Sequence, residues 1–311
     1  MTMISDEFGN VRILLHPPEI AVLTPDADFL YVVHNNTNQY GIPLQGLKRI
    51  CFDTSQPRQV QLSPHRERLS HIFSDLGLQK GVFVDIGAYD GVNHSHTRAL
   101  VEKGWQGLML EYEPFRFATL AELYRLFPQI TLTRCKVTPH NVLALLEAAD
   151  IPIQFDFLSL DIDSYDYFVL EQILSKHRPT VICTEINEVI PPPIRFAVKY
   201  NPHFELDLSQ RFYGMSLAAV ADLAKRHGYA LMHMYYMDLF LIDLNFLEGE
   251  EEDLPGFYRQ HFLDLPRPSY YHNYPFDTEA VFRAEPDAAL ALIQAGYAAF
   301  EGQFLCSLSP F

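Results

Sequence analysis

The sequence predicts an α/β fold: a doubly wound, mostly parallel sheet with helices on both faces. Three observations carry this. From residue 82 to residue 243, short apolar runs alternate with amphipathic runs of helical period. The apolar runs (VFV, GLML, FDFLSL, TVIC) lack the polar alternation of a half-exposed strand, so they read as strands covered on both faces. A chain of 311 residues that is 48% hydrophobic can bury the large core such layers need.

Residues 1 to about 60 hold short strand-like runs, VRILL, IAVL and FLYVVH, with a turn signal at HNNTNQYG. PHRERLSHIFSDLGL turns helical, with Leu69, Ile72, Phe73 and Leu76 on one face. VFVDIG is then a strand and HSHTRALVEKGW a helix. GLMLEYE, ITLTRCKV, FDFLSLDI and PTVICTEIN follow as strands. FRFATLAELYRLF, NVLALLEAADI, SYDYFVLEQILSKH and SLAAVADLAKRHGY are the helices between and after them, and ALMHMYYMDLFLIDL supplies the last two strands. Beyond Leu247 come an acidic run, EGEEED, read as a solvated turn, a Pro- and Tyr-rich stretch, and a final helix, DAALALIQAGYAAF. The chain therefore divides into an N-terminal addition (1–62), a ligand-binding core (63–247) and an aromatic-rich C-terminal extension (248–311).

The net charge of −16 and a pI near 5.1 speak against nucleic acid, whose phosphates need a basic surface. Cys51, Cys135, Cys183 and Cys306 are widely spaced and form no CxxC pair. They predict a reducing, cytoplasmic setting without a zinc site, with Cys135 and Cys183 as buried thiols. MTMISDEFGN has neither the basic start nor the apolar stretch of a signal peptide, and no run approaches the ~18 apolar residues of a membrane span.

The chemistry begins at VFVDIGAYDGVNHSHT, residues 82–97. In a doubly wound sheet, ligands bind where the carboxyl ends of the strands meet their loops. Gly87 and Gly91 permit a tight turn and close approach of a ligand to the backbone. The dinucleotide pattern G-x-G-x-x-G is missing, and Asp85 and Asp90 would repel a pyrophosphate. The next strand ends at Glu111, 20 residues after Gly91, where an acid can accept both hydroxyls of a ribose. A nucleoside with a positive centre fits this pair of features, and S-adenosylmethionine is one. The alternative is a purely structural strand-to-helix turn.

VFVDIGAYDG, GLMLEYEP, FLSLDIDSYDY, TVICTEIN and YGMSLAAVADLAKRHGY, in that order, resemble the FkbM-type methyltransferases. These have the Rossmann-like class I S-adenosylmethionine-dependent fold. The resemblance covers about residues 65–247. It implies that Asp85, Gly87, Ala88 and Gly91 cradle the methionine part, that Glu111 binds the ribose and that Lys136 and Val137 flank the adenine. The chain departs from the common pattern at CKVTPHN, where many class I enzymes carry an acid.

Two further strands end in carboxylates: L-D161-I-D163 and, with Glu185 24 residues after Asp161, T-E185-I-N187. A parallel sheet opens both ends on one side. Asp161, Asp163, Glu185 and Asn187 therefore form a hard oxygen set for Mg²⁺ or another divalent cation, which would lower the pKa of an acceptor hydroxyl. Asp161 is also the candidate general base. The other reading has Asp161 and Asp163 capping the next helix and binding the cofactor amine. His94 and His96 stand two apart, a poor ligand pair on a helix but able to converge on an irregular turn. His94 is the sharper candidate for a base, and a solvent-facing histidine is the plain alternative. Asn93 and Ser95 are expected as local hydrogen-bonders, and His140 as structural.

Residues 191–214 form a long insert, expected as a lid or functional loop. The aromatics from Tyr258 to Tyr274 either stack on an acceptor or form core or a dimer surface. The expected function is O-methylation of a small molecule, such as a sugar or natural-product hydroxyl, with a homo-oligomer as the protein partner. The rivals are metal-free N-methylation and a binding subunit that has lost catalysis.

Overall fold

Covering apolar strands on both faces dictates the architecture. The computed structural model describes residues 63–206, 209–247, 253–266 and 273–311, together with the backbone of six strands between residues 2 and 52. Those six are β1 (Thr2–Ser5), β2 (Val11–Leu15), β3 (Ile20–Leu23), β4 (Phe29–His34), β5 (Asn38–Pro43) and β6 (Leu47–Phe52). They pair in the orders β1-β2-β6 and β3-β4-β5. VRILL, IAVL and FLYVVH are strands, as the sequence predicts.

The main sheet starts after helix α1 (Arg66–Asp75). Its strands are β7 (Val82–Ile86), β8 (Gln106–Glu111), β9 (Ile130–Arg134), β10 (Gln154–Leu160) and β11 (Arg178–Glu185). After β12 (Arg195–Val198), which lies outside this sheet, come β13 (Tyr229–Tyr235) and β14 (Asp238–Asp243). Their spatial order is β13-β14-β11-β10-β7-β8-β9. All neighbours from β11 to β9 run parallel, whereas β14 runs antiparallel to both β11 and β13. The strand order reverses beside β7, so the loops after β7 and β10 open a crevice there. This is the mostly parallel, Rossmann-like sheet with helices on both faces that the sequence predicts.

Side chains alternate between two cores. One face carries Phe83, Met109, Phe157, Val181, Cys183 and Phe240 against α1, α2 (Arg98–Glu102) and α3 (Pro114–Tyr124). The other carries Val84, Leu110, Leu158, Ile182 and Leu241 against α4 (Val142–Ala148), α5 (Asp166–Lys176) and α6 (Leu217–His227). Each large apolar side chain fully buried in this way contributes roughly 1.5–3 kcal/mol. Helix α6 shows how local chemistry sets the ends. Ser216 Oγ accepts the N–H of Ala219, Lys225, Arg226 and His227 face the negative end of the dipole, and Gly228 closes the helix at φ +75°.

The C-terminal region joins the second core rather than standing apart. It supplies α7 (Leu254–Tyr258), α8 (Thr278–Arg283), α9 (Pro286–Gly296) and β15 (Phe304–Ser307). Strand β12, inside the predicted lid, pairs antiparallel with β15, so part of that insert is fixed structure. Tyr258, Phe262, Tyr274 and Tyr297 are buried, which settles those aromatics as core. Tyr270, Tyr271 and His272, and most of the EGEEED run, lie outside the described residues.

Two expectations need correction. HSHTRALVEKGW forms only the five-residue α2: His94 takes φ +55°, which no helix accepts, and Ser95 Oγ captures the N–H groups of Thr97 and Arg98. Cys183 is buried as expected, but Cys135, just past the end of β9, is only half-buried.

Candidate active site

The loop after β7 is shaped by what packs on it. The backbone N–H groups of Gly87 and Ala88 both donate to the carbonyl of Leu110, which folds the chain back over β8. Gly87 has φ +87°, and a Cβ there would overlap the carbonyl oxygen of Asp161. Gly91 has φ +73°, and its Cβ would lie 2.5 Å from atoms of Leu120 and Tyr124 on α3. Both glycines are thus required by the protein's own close packing, not only by the approach of a ligand. Asp90 is spent locally: its carboxylate accepts from the N–H of Val92 and of Asn93 and from the Asn93 side chain.

Asp85 is 5% exposed and accepts a hydrogen bond from Thr97 Oγ1. Burial pushes its carboxyl up to about 7; the Thr97 bond opposes the rise and the nearby charge of Glu111 adds to it. Glu111, at the end of β8, is buried and accepts the N–H of Tyr89 and of Glu113. Burial raises its pKa, with those two N–H groups working against the rise. The acid predicted to hold a ribose is thus already oriented by two backbone donors.

Lys136 and Val137 lie beyond β9. The Lys136 ammonium donates to the carbonyls of Pro202 and Phe204 and lies 5.5 Å from the centre of the Tyr112 ring. Val137 is buried, and its carbonyl accepts from Tyr165. This wall therefore joins the third-strand loop to the 191–214 insert. His140 packs edge-on against Tyr200 of that insert, consistent with a structural role.

Strand register brings the predicted carboxylates together. Leu160 of β10 pairs with Ile86 and with Thr184, and Glu185 of β11 pairs with Asp238 of β14. Carboxylate oxygens of Asp161, Asp163 and Glu185 all lie within 4.8 Å of one another. Desolvation of its carboxyl, then the charges of Asp163, Asp166 and Asp238, pushes Asp161 well above the ordinary carboxylate range, although the residue still reaches solvent. Burial and the charge of Asp161 do the same to Glu185, whose Oε2 is enclosed without a hydrogen-bond partner. Burial raises Asp163 as well, against the pull of Arg116 and Arg211. So much negative charge in one place calls for a shared proton or a cation. Asp166 stabilises the loop itself: its two oxygens accept the N–H of Ile162 and of Ser164, and its own pKa rises to about 6 by burial. Asp166, not Asp161 or Asp163, is thus the residue that caps this turn. Asn187 is wholly buried, but its amide nitrogen donates to the Tyr213 carbonyl, 3.3 Å away.

The histidines converge on a residue that has no local signal in the sequence. His94 is exposed, whereas the His96 side chain is only 10% exposed. His96 Nδ1 lies 3.2 Å from Ser159 Oγ and its Nε2 lies 3.9 Å from Asp238 Oδ1. His65, just ahead of α1, donates from Nε2 to Asp238 Oδ2 at 2.7 Å. Burial opposes the charge on Asp238, but the His65 bond and the influence of His96, His65 and His94 outweigh it and hold that carboxyl below its usual range. Burial lowers the pKa of His96, with Asp238 opposing. His65 and Asp238 are 173 positions apart, so only the fold brings them together.

No family model matches the sequence, and no curated protein matches it. Several solved structures resemble the chain at low overlap. One is the N-terminal domain of EvdMO1 with SAH bound, at 13% identity and a TM-score of 0.39, covering 58% of this chain and 82% of that one. A putative O-methyltransferase from Klebsiella pneumoniae gives 15% identity and a TM-score of 0.38, covering 60% and 83%. Monomeric WbdD gives 16% and 0.37; the match covers 57% of this chain and spans only 39% of WbdD. The fold assignment rests on the strand order and register described above, not on these overlaps.

Proposed function

We propose that this chain is an S-adenosylmethionine-dependent methyltransferase that acts on a small-molecule hydroxyl with the help of a divalent cation. One observation carries the reading: the carboxylates of Asp161, Asp163 and Glu185 converge beside a glycine loop whose neighbouring strand ends in the oriented Glu111. Glu111 is the residue that would accept the ribose hydroxyls, and the loop from Asp85 to Gly91 would face the methionine part. The three clustered acids suit a hard cation, because a buried Glu185 oxygen lacks any partner of its own. A divalent ion held there would supply Lewis acidity that eases loss of the acceptor's proton.

The chain's own residues then divide the work. We assign Asp161 as the group that would take the hydroxyl proton, a role that its raised proton affinity in the cation-free site supports. Glu185 shares that proton load, since the two carboxyls cannot both stay ionised without a counter-charge. Asp166 fixes the loop that presents them, so the rate rests on positioning as well as on proton transfer. Without a cation, the Asp161–Glu185 pair could still serve as an acid–base couple, which keeps metal-free N-methylation as the second reading.

Calorimetry with S-adenosylmethionine tests the core of this proposal. Saturable binding that Glu111→Ala weakens by about tenfold or more is the expected result, since a paired hydrogen-bond acceptor is removed. Absence of heat at high ligand concentration sinks the methyltransferase reading. Release of S-adenosylhomocysteine across a panel of hydroxylated and amine acceptors, with Mg²⁺ or with EDTA, then separates the two chemistries. An unchanged rate after chelation removes the cation.

A further inference from the structure

We infer that His65, His96 and Asp238 form a binding site for a first-row divalent transition ion of borderline softness, Zn²⁺ foremost, separate from the carboxylate cluster. Two imidazoles and one carboxylate are a donor set typical of such ions, and hard ions such as Mg²⁺ favour all-oxygen sites. One atom from each residue lies within 4.8 Å of the other two. Donors bound tetrahedrally at about 2.0–2.1 Å stand about 3.3 Å apart. His65 Nε2 lies 2.7 Å from Asp238 Oδ2 and His96 Nε2 lies 3.9 Å from Asp238 Oδ1, so for one oxygen to serve both contacts on an ion the first must open by about half an ångström and the His96 ring must move toward the carboxylate by at least as much. Both changes lie within side-chain adjustment.

The surroundings match those of a ligand set. Ser159 stands 3.2 Å from the far ring nitrogen of His96, which aims Nε2 at Asp238, the outer-shell arrangement common to metal-bound histidines. His65 is walled by Phe240, with ring centres 5.0 Å apart, and by the edge of Tyr235. The Asp238 side chain, 21% exposed, leaves a path from solvent. The ligands also come from three places: the residue just ahead of α1, the irregular loop before α2 and the first residue of β14. An ion there would tie the N-terminal end of the core to the last two strands. Cysteine spacing, the basis for expecting no zinc site, does not register a site built from histidines.

Zinc binding to the full chain, measured in excess Mg²⁺ so that hard oxygen sites are filled, tests the inference independently of methyl transfer. We expect one equivalent of Zn²⁺ whose X-ray absorption fine structure shows two imidazoles. His96→Gln should weaken binding by more than about tenfold and Ser159→Ala by about tenfold, since even outer-shell changes cost 10- to 100-fold. His233→Gln, which changes the imidazole facing His261 instead, should leave binding unchanged. Failure to bind zinc, a spectrum without paired imidazoles, or loss of binding on Glu185→Gln but not on His96→Gln would each overturn the site. The wild-type spectrum decides the question even if His96→Gln does not fold. A negative result here leaves S-adenosylmethionine binding untouched, so the two ideas fail separately.

Discussion

Asp85→Asn should make the protein more stable at neutral pH, by an amount that depends on pH in a calculable way. The carboxyl of Asp85 is 5% exposed and titrates at about 7 in the fold, against 3.8 for a free aspartate. A folded pKa raised above the unfolded one favours the native state only while the group stays protonated. Its contribution is fully present below about pH 4 and is lost progressively as the pH climbs to about 7. The whole loss is about 4 kcal/mol at 1.36 kcal/mol per pH unit. Roughly 2 to 3 kcal/mol of it falls between about pH 5 and pH 8. Asparagine keeps an acceptor for Thr97 Oγ1 and cannot ionise, so the variant escapes that loss. Asp166, Asp161 and Glu185 also rise, but they are common to both proteins and cancel in the difference. Reversible urea unfolding of both proteins at the two pH values gives the measurement. The stability gap should widen by about 2 to 3 kcal/mol in favour of Asn from the lower to the higher pH. A gap that stays constant within about half a kcal/mol would show that Asp85 ionises normally inside the fold, and the account of its burial would be wrong.

Gly87→Ala should prevent accumulation of soluble protein or cost more than about 3 kcal/mol in urea unfolding, because the new methyl meets the backbone of Asp161 at positive φ; Gly77→Ala, at φ +71° with nothing within 4 Å, should cost only about 1 kcal/mol in the same assay. Asp243→Ala should lose about 2–3 kcal/mol in chemical denaturation, since it strips a two-pronged ion pair from Arg178, which is itself partly exposed and so partly screened. Glu185→Gln should raise the melting temperature of the cation-free protein near neutral pH by relieving repulsion from Asp161, and should abolish any rise in melting temperature on adding Mg²⁺; a lower melting temperature without the cation would contradict the crowding of charge there.

Much of this chain is legible in one dimension. The two-sided apolar strands fixed the sheet's character because strand and helix periods are local properties. Gly87, Glu111, Asp161 and Glu185 were legible for a related reason: in a parallel sheet, residues that end successive strands share one edge whatever the side chains between them. Local competition was harder to read, as at α2, where the His94 turn and Ser95 prevail over the helical pattern. Some roles changed because packing, not ligand approach, sets them: Gly91 makes room for Leu120 and Tyr124, and Asp90 binds its own loop. The tertiary structure alone decided that Asp238 lies beside Glu185 and within reach of His65 and His96. That meeting depends on β14 entering the sheet antiparallel, so that its first residue, not its last, lies beside the carboxyl ends of the others. The sequence could propose the strand; the direction and register that carry Asp238 to that edge arise only from its pairing with β11 and β13.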